Sequence, residues 1–302
     1  MKTSKKEGFI LSRGHKVWYC IVEASNKHPQ KLPLLILHGG PGVPHDYLES
    51  LEVIAKSGRP VIFYDQLGCG NSDKPNDPSL WTIEYFIEEI NTIRKALNLD
   101  NIHLLGQSWG GMLGMEYALT TPLGINSLII SNSPASTSQW MKEANRLRCV
   151  LPQDIQKILL KNENQETTDS LEYQQAMEVY YQKHLCRLSP WPKCLSLAFT
   201  KLEQNPEVYN TMWGTSEFHA TGTLKNWDIT KQLHNIHKPT LVLGGRYDEA
   251  TPNITKTIQD GIPGAKRRIF EKSAHLPHLE EPKKYIQVVN DFLTQVETSC
   301  TE

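Results

Sequence analysis

The apolar run Asn101-Ile102-His103-Leu104-Leu105 passes directly into Gly106-Gln107-Ser108-Trp109-Gly110-Gly111, and a helix-compatible stretch, Met112 to Leu119, follows at once. G-x-S-x-G between a strand and a helix forces the serine into a sharp, strained turn. Small flanking residues are needed because the two backbones nearly touch there. Ser108 then stands clear of the backbone as a candidate nucleophile. The same pattern also describes an ordinary Gly-Ser turn, so the rest of the chain has to supply its chemical partners.

A chain of 302 residues, 39% hydrophobic and 22% charged, is long enough for one large domain plus an insertion. Its formal net charge of −1 offers no broad basic surface, so no nucleic-acid partner is expected. The start, Met1 to Gly8, is basic, but Arg13 and His15 interrupt before any sustained apolar stretch, and no secretion signal is read. No apolar run approaches the length of a membrane span, and the expected location is the cytoplasm. Cys20, Cys69, Cys149, Cys186, Cys194 and Cys300 are scattered, without close metal-binding pairs or the density of a disulfide scaffold. The eleven histidines show no metal spacing, so neither metal nor cofactor is expected. Oligomeric state is not readable from these patterns.

Between Gly8 and Glu23, two β-rich segments flank Arg13-Gly14-His15 and predict a hairpin. Leu34 to Leu37, Val61 to Tyr64, Ile102 to Leu105 and Leu128 to Ser131 are short apolar runs of the kind found in a sheet covered on both faces. Ile83 to Leu97 places Ile83, Phe86, Ile87, Ile90, Ile93 and Leu97 on one helical face. This alternation predicts an α/β fold: a mostly parallel central sheet flanked by helices, with the hairpin as its antiparallel edge. After Pro134 no comparable strand appears until Thr240 to Leu243, and the stretch between is helical and aromatic. We therefore expect core residues 1–135, an inserted helical cap at 136–228, and a second core part at 229–302.

A serine hydroxyl needs a base, an acid that orients the base, and donors for the developing oxyanion. In this architecture the chain order is Ser, then Asp or Glu, then His. Strand Pro239 to Leu243 leads to Asp248, and strand Arg267 to Phe270 leads to His275. Taken alone, Asp248 could be a turn or capping residue before Thr251-Pro252. His278 is an alternative to His275 as the base. The oxyanion donors expected are the amide of Trp109, which follows the nucleophile, and that of Gly39 or Gly40 in the loop His38-Gly39-Gly40-Pro41-Gly42.

His38-Gly39-Gly40-Pro41-Gly42, Asp65-Gln66-Leu67-Gly68-Cys69-Gly70-Asn71-Ser72, Gly106-Gln107-Ser108-Trp109-Gly110-Gly111 and Gly245-Arg246-Tyr247-Asp248-Glu249 together resemble the proline iminopeptidases, also called prolyl aminopeptidases, of the α/β-hydrolase fold. The resemblance spans nearly the whole chain and implies Ser108 as nucleophile, Asp248 as acid and His275 as base. It also implies that Glu217 and Glu249 hold the free amine of the substrate. Two carboxylates around an ammonium satisfy its donors and limit cleavage to the first residue. One departure is Leu67, where many bacterial members carry arginine. It brings the chain nearer the broader group of short aminopeptidases and amino-acid amidases and loosens the implied preference for proline.

The expected reaction is hydrolysis, through an acyl-enzyme, of an N-terminal aminoacyl bond in a short peptide or amino-acid amide. Two rivals stand beside it. One is an amidase or small-ester hydrolase that requires no free amine. The other is a ligand-binding protein that keeps the fold with little turnover.

Overall fold

The computed structural model describes residues 4–24, 26, 28 and 31–299; the basic start at Met1 to Thr3 and Cys300 lie outside them. Strands β1 (Lys5–Ser12) and β2 (His15–Val22) pair antiparallel across Arg13 and Gly14, whose φ values of 48° and 88° are both left-handed. That backbone matches the right-handed twist of the strands it joins. Strands β3 (Leu34–Leu37) and β4 (Val61–Tyr64) follow, then β5 (Ile102–Gln107) and β6 (Ile125–Ser131). Two short strands, β7 (Gly214–Ser216) and β8 (His219–Ala220), form a separate hairpin before β9 (Thr240–Gly245) and β10 (Lys266–Phe270).

The main sheet has eight strands in the order β1-β2-β4-β3-β5-β6-β9-β10. β2 runs antiparallel to both of its neighbours, and every pair from β4 to β10 is parallel. Alternate residues feed two cores, as the period of two along a strand requires. Leu35, Leu37, Leu104 and Ile130 join one apolar cluster, while Leu34, Ile36, Leu105 and Ile129 join the other. Helices α1 (Ile83–Ala96) and α2 (Trp109–Leu119) cover the first face; the 3-10 segment His45–Ser57 lies on the second. The four residues of β3 and of β4 are all buried, which explains why these strands read as unbroken apolar runs.

Between β6 and β9 the chain builds helices α3 (Thr137–Arg148), α4 (Gln153–Asn164), α5 (Leu171–His184), α6 (Lys193–Gln204) and α7 (Glu207–Met212). The two ends of this segment are tied together by an antiparallel bridge between Ser136 and Asp228. Thr137 N–H donates to Trp227 O and Ile229 N–H to Ala135 O, both at 2.9 Å. The stretch is not wholly helical, because the β7–β8 hairpin sits inside it with Glu217 and Phe218 at its tip. Strands of three and two residues are too short to show an alternating pattern. Three core elements complete the chain: α8 (Pro252–Gly261), the short α9 (Pro277–Glu280) and α10 (Pro282–Ser299). No helix among the described residues is long and apolar enough to cross a membrane.

Helix α1 follows its predicted span, but its buried face carries one charged-type residue the apolar stripe did not announce. Glu89 is 0% exposed between Phe86, Ile90 and Ile93. Its carboxyl accepts from Leu67 N–H at 3.1 Å, and burial pushes its pKa up to about 8. The unfolded chain ionises this group at about 4.3. The folded state therefore retains a proton that the unfolded state releases, and stability falls as pH rises from that value through about 8. Glu89→Gln keeps the shape and an acceptor for Leu67 N–H while removing the titration. We expect its melting temperature to exceed the parent's by at least about 3 °C at pH 8, with a much smaller difference at pH 5. Thermal melts across pH test this; a gap that does not widen toward high pH counts against a buried neutral Glu89.

Candidate active site

Ser108 has φ 54° and ψ −122°, a backbone conformation that L-residues avoid. Neighbouring backbone holds it there. Ser108 N–H donates to Ser131 O at 2.8 Å, and Ser108 O accepts from Gly111 and Met112 as α2 begins. A Cβ on Gly106 would lie 2.0 Å from Gly110 O, and one on Gly110 would lie 2.1 Å from Leu37 O. Both glycines are thus required by contact between strand and helix backbones, as the spacing predicted.

Asp248 leaves the carboxyl end of β9 and His275 leaves that of β10, and the parallel pairing of these strands brings the two together. His275 Nδ1 lies 2.7 Å from Asp248 Oδ1. Asp248 only accepts here, also taking Ala250 N–H on Oδ1 and the Asn132 amide on Oδ2 at 2.5 Å. With its proton on Nδ1, the imidazole leaves Nε2 open to take another. Ser108 and His275 line one cavity of about 610 Å³. Ser108 Oγ makes no hydrogen bond with the described residues, and such bonds often tighten only around substrate.

His278, the alternative base, is unsuited to the role. It is 1% exposed, its Nε2 faces Tyr47 O at 3.1 Å, and burial pushes its pKa down to about 3. Its ring packs between Tyr47 and Tyr285 and is absent from the cavity lining.

Of Gly39 and Gly40, the alternative glycines expected to donate to an oxyanion, one has its amide already engaged. Gly39 N–H is already committed to Tyr47 Oη at 2.8 Å, and Tyr47 in turn donates to Gln107 Oε1 at 2.5 Å. Gly40 lines the cavity. The amides of Gly40 and Trp109 have no acceptor among the described residues, and Trp109 opens α2, where N–H groups lack intrahelical partners. His38 holds this loop. Gln66 N–H donates to its Nε2 at 2.9 Å, so Nδ1 carries the proton and donates to Gly39 O. Burial lowers the His38 pKa, which keeps that neutral form. Gln66 also accepts from the Trp109 indole, and Gln107 donates to His275 O. Asn132, Tyr47, Gln66 and Gln107 were not singled out for these roles. Gln66 and Gln107 lie within the quoted motifs, whereas Asn132 and Tyr47 carry no local signal.

Glu217, at the hairpin tip, and Glu249, next to Asp248, both line the cavity. Tyr209 Oη donates to Glu217 Oε1 at 2.5 Å. Glu249 is 1% exposed, its Oε1 lies 4.0 Å from His275 Nε2, and its Oε2 makes no full hydrogen bond with the described residues, although the Tyr180 hydroxyl is near enough to favour its charge. Burial pushes both carboxyls above the usual range, and Glu249 is raised further by Glu217 and Asp248. The cavity is thus lined by two buried carboxyls, one of them with an unmet acceptor.

This sheet, with a serine on a strand-to-helix turn and a His-Asp pair at the same edge, defines an α/β hydrolase. A profile of the alpha/beta hydrolase fold matches residues 33–282. The chain is 43% identical over 290 residues to a proline iminopeptidase of Heyndrickxia coagulans, covering 96% of this chain and 99% of that one. Among solved structures, VinJ superposes with a TM-score of 0.93 at 40% identity, covering 96% of this chain and 99% of the other. The proline iminopeptidase of Mycobacterium smegmatis gives 0.92 at 38%, covering 98% and 100%. The chain belongs to the proline iminopeptidase family of α/β hydrolases.

Asn132 tests how the Asp248 carboxylate is held. Its φ of 56° is left-handed, so Asn132→Gly removes the amide without straining the backbone. Losing one hydrogen bond to a charged group costs about 1.5–3 kcal/mol. We expect kcat to fall by roughly 10- to 100-fold, with KM within about twofold. Steady-state kinetics on any turned-over substrate checks this, and an unchanged kcat removes Asn132 from the machinery.

Proposed function

We propose that this enzyme releases the N-terminal residue, proline in the first instance, from short peptides or amino-acid amides through an acyl-enzyme formed on Ser108. The observation that supports this reading is the pairing of Glu217 and Glu249 across the cavity that Ser108 and His275 line, with Glu249 Oε2 lacking a full hydrogen bond. An ammonium group fits between them; a neutral ester or an acylated amine leaves both carboxyls without a counter-ion.

In this mechanism His275 Nε2 takes the proton of Ser108 Oγ as the oxygen attacks the aminoacyl carbonyl carbon. Asp248 holds the imidazolium, and the Gly40 and Trp109 amides receive the oxyanion. The C–N bond breaks as the imidazolium gives its proton to the leaving amine. Water, losing a proton to the same nitrogen, then attacks the acyl-enzyme, and collapse returns Ser108 and frees the amino acid. The segment 136–228 acts as a cap that brings Glu217 over the site. The reaction belongs in the cytoplasm, where buried thiols such as Cys69 and Cys186 stay reduced.

A panel of prolyl, alanyl and leucyl amides with free and acetylated amines, run beside Ser108→Ala, tests the reading. Ser108→Ala should abolish turnover, and acetylation should cut kcat/KM by about two orders of magnitude or more. Equal efficiency on blocked and free amines would instead support a general amidase or esterase. Glu249→Gln keeps shape and loses charge; kcat/KM for free-amine substrates should fall by roughly 100-fold, mostly through KM.

The pH dependence has a definite sign. As pH falls, Glu217 and Glu249, already raised by burial, take up protons and lose their hold on an ammonium. As pH rises past about 8, the substrate's own amine, whose ordinary pKa is roughly 7.7–8.0, loses its proton. We expect a bell-shaped kcat/KM profile whose alkaline limb follows the amine pKa of the substrate used. A limb that stays fixed while that pKa is varied argues against the carboxylate clamp.

A further inference from the structure

The cavity has an acidic lining from its interior to its opening. Five of the residues around it, Asp169, Glu178, Glu203, Glu217 and Glu249, are carboxylic acids. Apart from His275, no described residue that lines it carries a basic group. The chain as a whole does not share this bias, since its formal net charge is only −1. The acids divide by depth. Glu249 is 1% exposed and its Oε2 makes no full hydrogen bond, so the interior still offers an acceptor. Asp169, Glu178 and Glu203 are exposed, which puts them where the cavity meets solvent. None of these three side chains makes an ion pair or a hydrogen bond with the described residues. Lys201, on the helix of Glu203, is turned to Asp46 at 2.7 Å, and Lys161 pairs with Glu172 at 3.1 Å. Lys183 and Lys193, on the helices of Glu178 and Glu203, line no part of the cavity.

With the substrate's amine held between Glu217 and Glu249, any peptide longer than the cavity can hold has to run from there to the opening. Chain connectivity imposes that direction, whichever wall the second side chain touches. We propose that Asp169, Glu178 and Glu203 form an acidic mouth that selects cationic peptides, those in which lysine or arginine follows the first residue, over peptides with aspartate or glutamate there. This inference rests on the aminopeptidase reading above and adds to it the charge of the rest of the substrate. A cleft lined by one sign of charge, with walls of low dielectric, focuses its field and raises association rates of the opposite charge by about 10- to 1,000-fold. Tyr173, Trp191 and Phe199 supply walls of that kind here. At about 0.1 M salt the field of an exposed charge reaches roughly 10 Å, so a substrate side chain need not touch an acid to be drawn by it.

The test compares kcat/KM for Pro-Lys-NH2, Pro-Gln-NH2 and Pro-Glu-NH2, whose amide ends remove the terminal carboxylate. Glutamine is the neutral isostere of glutamate, so that pair isolates charge. At low salt the parent should prefer Pro-Lys-NH2 over Pro-Glu-NH2 by at least about tenfold, with Pro-Gln-NH2 between them, and about 0.5 M NaCl should cut this preference at least threefold. Asp169→Asn/Glu178→Gln/Glu203→Gln, which keeps shape at exposed positions, should also cut it by about threefold or more at low salt. Each single variant should lower the ratio by a smaller step, a second reading should the triple variant fold poorly. The control Glu84→Gln/Asp100→Asn/Asp291→Asn removes exposed acids absent from the lining and makes the same change in net charge; it should leave the ratio within about 1.5-fold. A parent ratio near one overturns the acidic mouth, as does a ratio that the mouth variants leave unchanged. Equal losses in the mouth and control triple variants would assign the preference to the charge of the whole molecule and also overturn it. Cleavage of all three dipeptides at equal efficiency refutes this inference alone, while failure to cleave any of them refutes the aminopeptidase reading itself.

Discussion

The site depends on one backbone conformation, the left-handed turn at Ser108. Strand β5 and helix α2 can meet at that angle only where no Cβ intervenes, because Gly106 abuts Gly110 O and Gly110 abuts Leu37 O. The contact with Leu37 matters beyond the turn, since Leu37 ends β3 and the next residues are the His38 to Gly42 loop. Close packing of α2 on β3 therefore sets the distance between the proposed nucleophile and the Gly40 amide. Strain at one residue is sustained by sheet hydrogen bonds on both sides, including Ser108 N–H to Ser131 O.

Around this turn the polar groups form a continuous bonded frame. Gly39, Tyr47, Gln107 and the His275 carbonyl are linked in sequence, and His38, Gln66 and Trp109 form a second chain. Buried networks hold one geometry when their members are satisfied and are costly when they are not. Four groups without a hydrogen-bond partner among the described residues stand where the proposed reaction needs them: the Gly40 and Trp109 amides, the Ser108 hydroxyl and Glu249 Oε2. Three of these four residues line the cavity, whereas other buried unpartnered atoms, such as Tyr64 Oη and Asn290 Oδ1, belong to residues absent from its lining.

How much of this could be read in advance differs by residue. The parallel strands were readable because residues buried on both faces leave short, unbroken apolar runs, and β3 and β4 fall where those runs lie. Glu89 was hidden, since a single carboxyl on an otherwise apolar face looks like a register error in the stripe rather than a buried acid. The β7–β8 hairpin was hidden by its length, so the segment bearing Glu217 read as helical. Gly39 and Gly40 could not be distinguished, because only the position of the Tyr47 hydroxyl, eight residues further on, decides which amide is spent. His275 and His278 stand three residues apart in one loop, and the burial that leaves His278 neutral at any ordinary pH comes from Tyr47 and Tyr285.

The sequence by itself determined the α/β architecture, the glycine-bounded serine turn, and the order in which serine, aspartate and histidine follow one another. These are local matters of periodicity, steric size and chain order. Only the tertiary structure decided which donors are free and which histidine meets Asp248. It also decided that a glutamate at the tip of the β7–β8 hairpin shares a cavity with one beside Asp248. Those outcomes depend on contacts between separate elements, such as Tyr47 with Gly39 and His275 with Asp248, and on the desolvation that packing alone imposes.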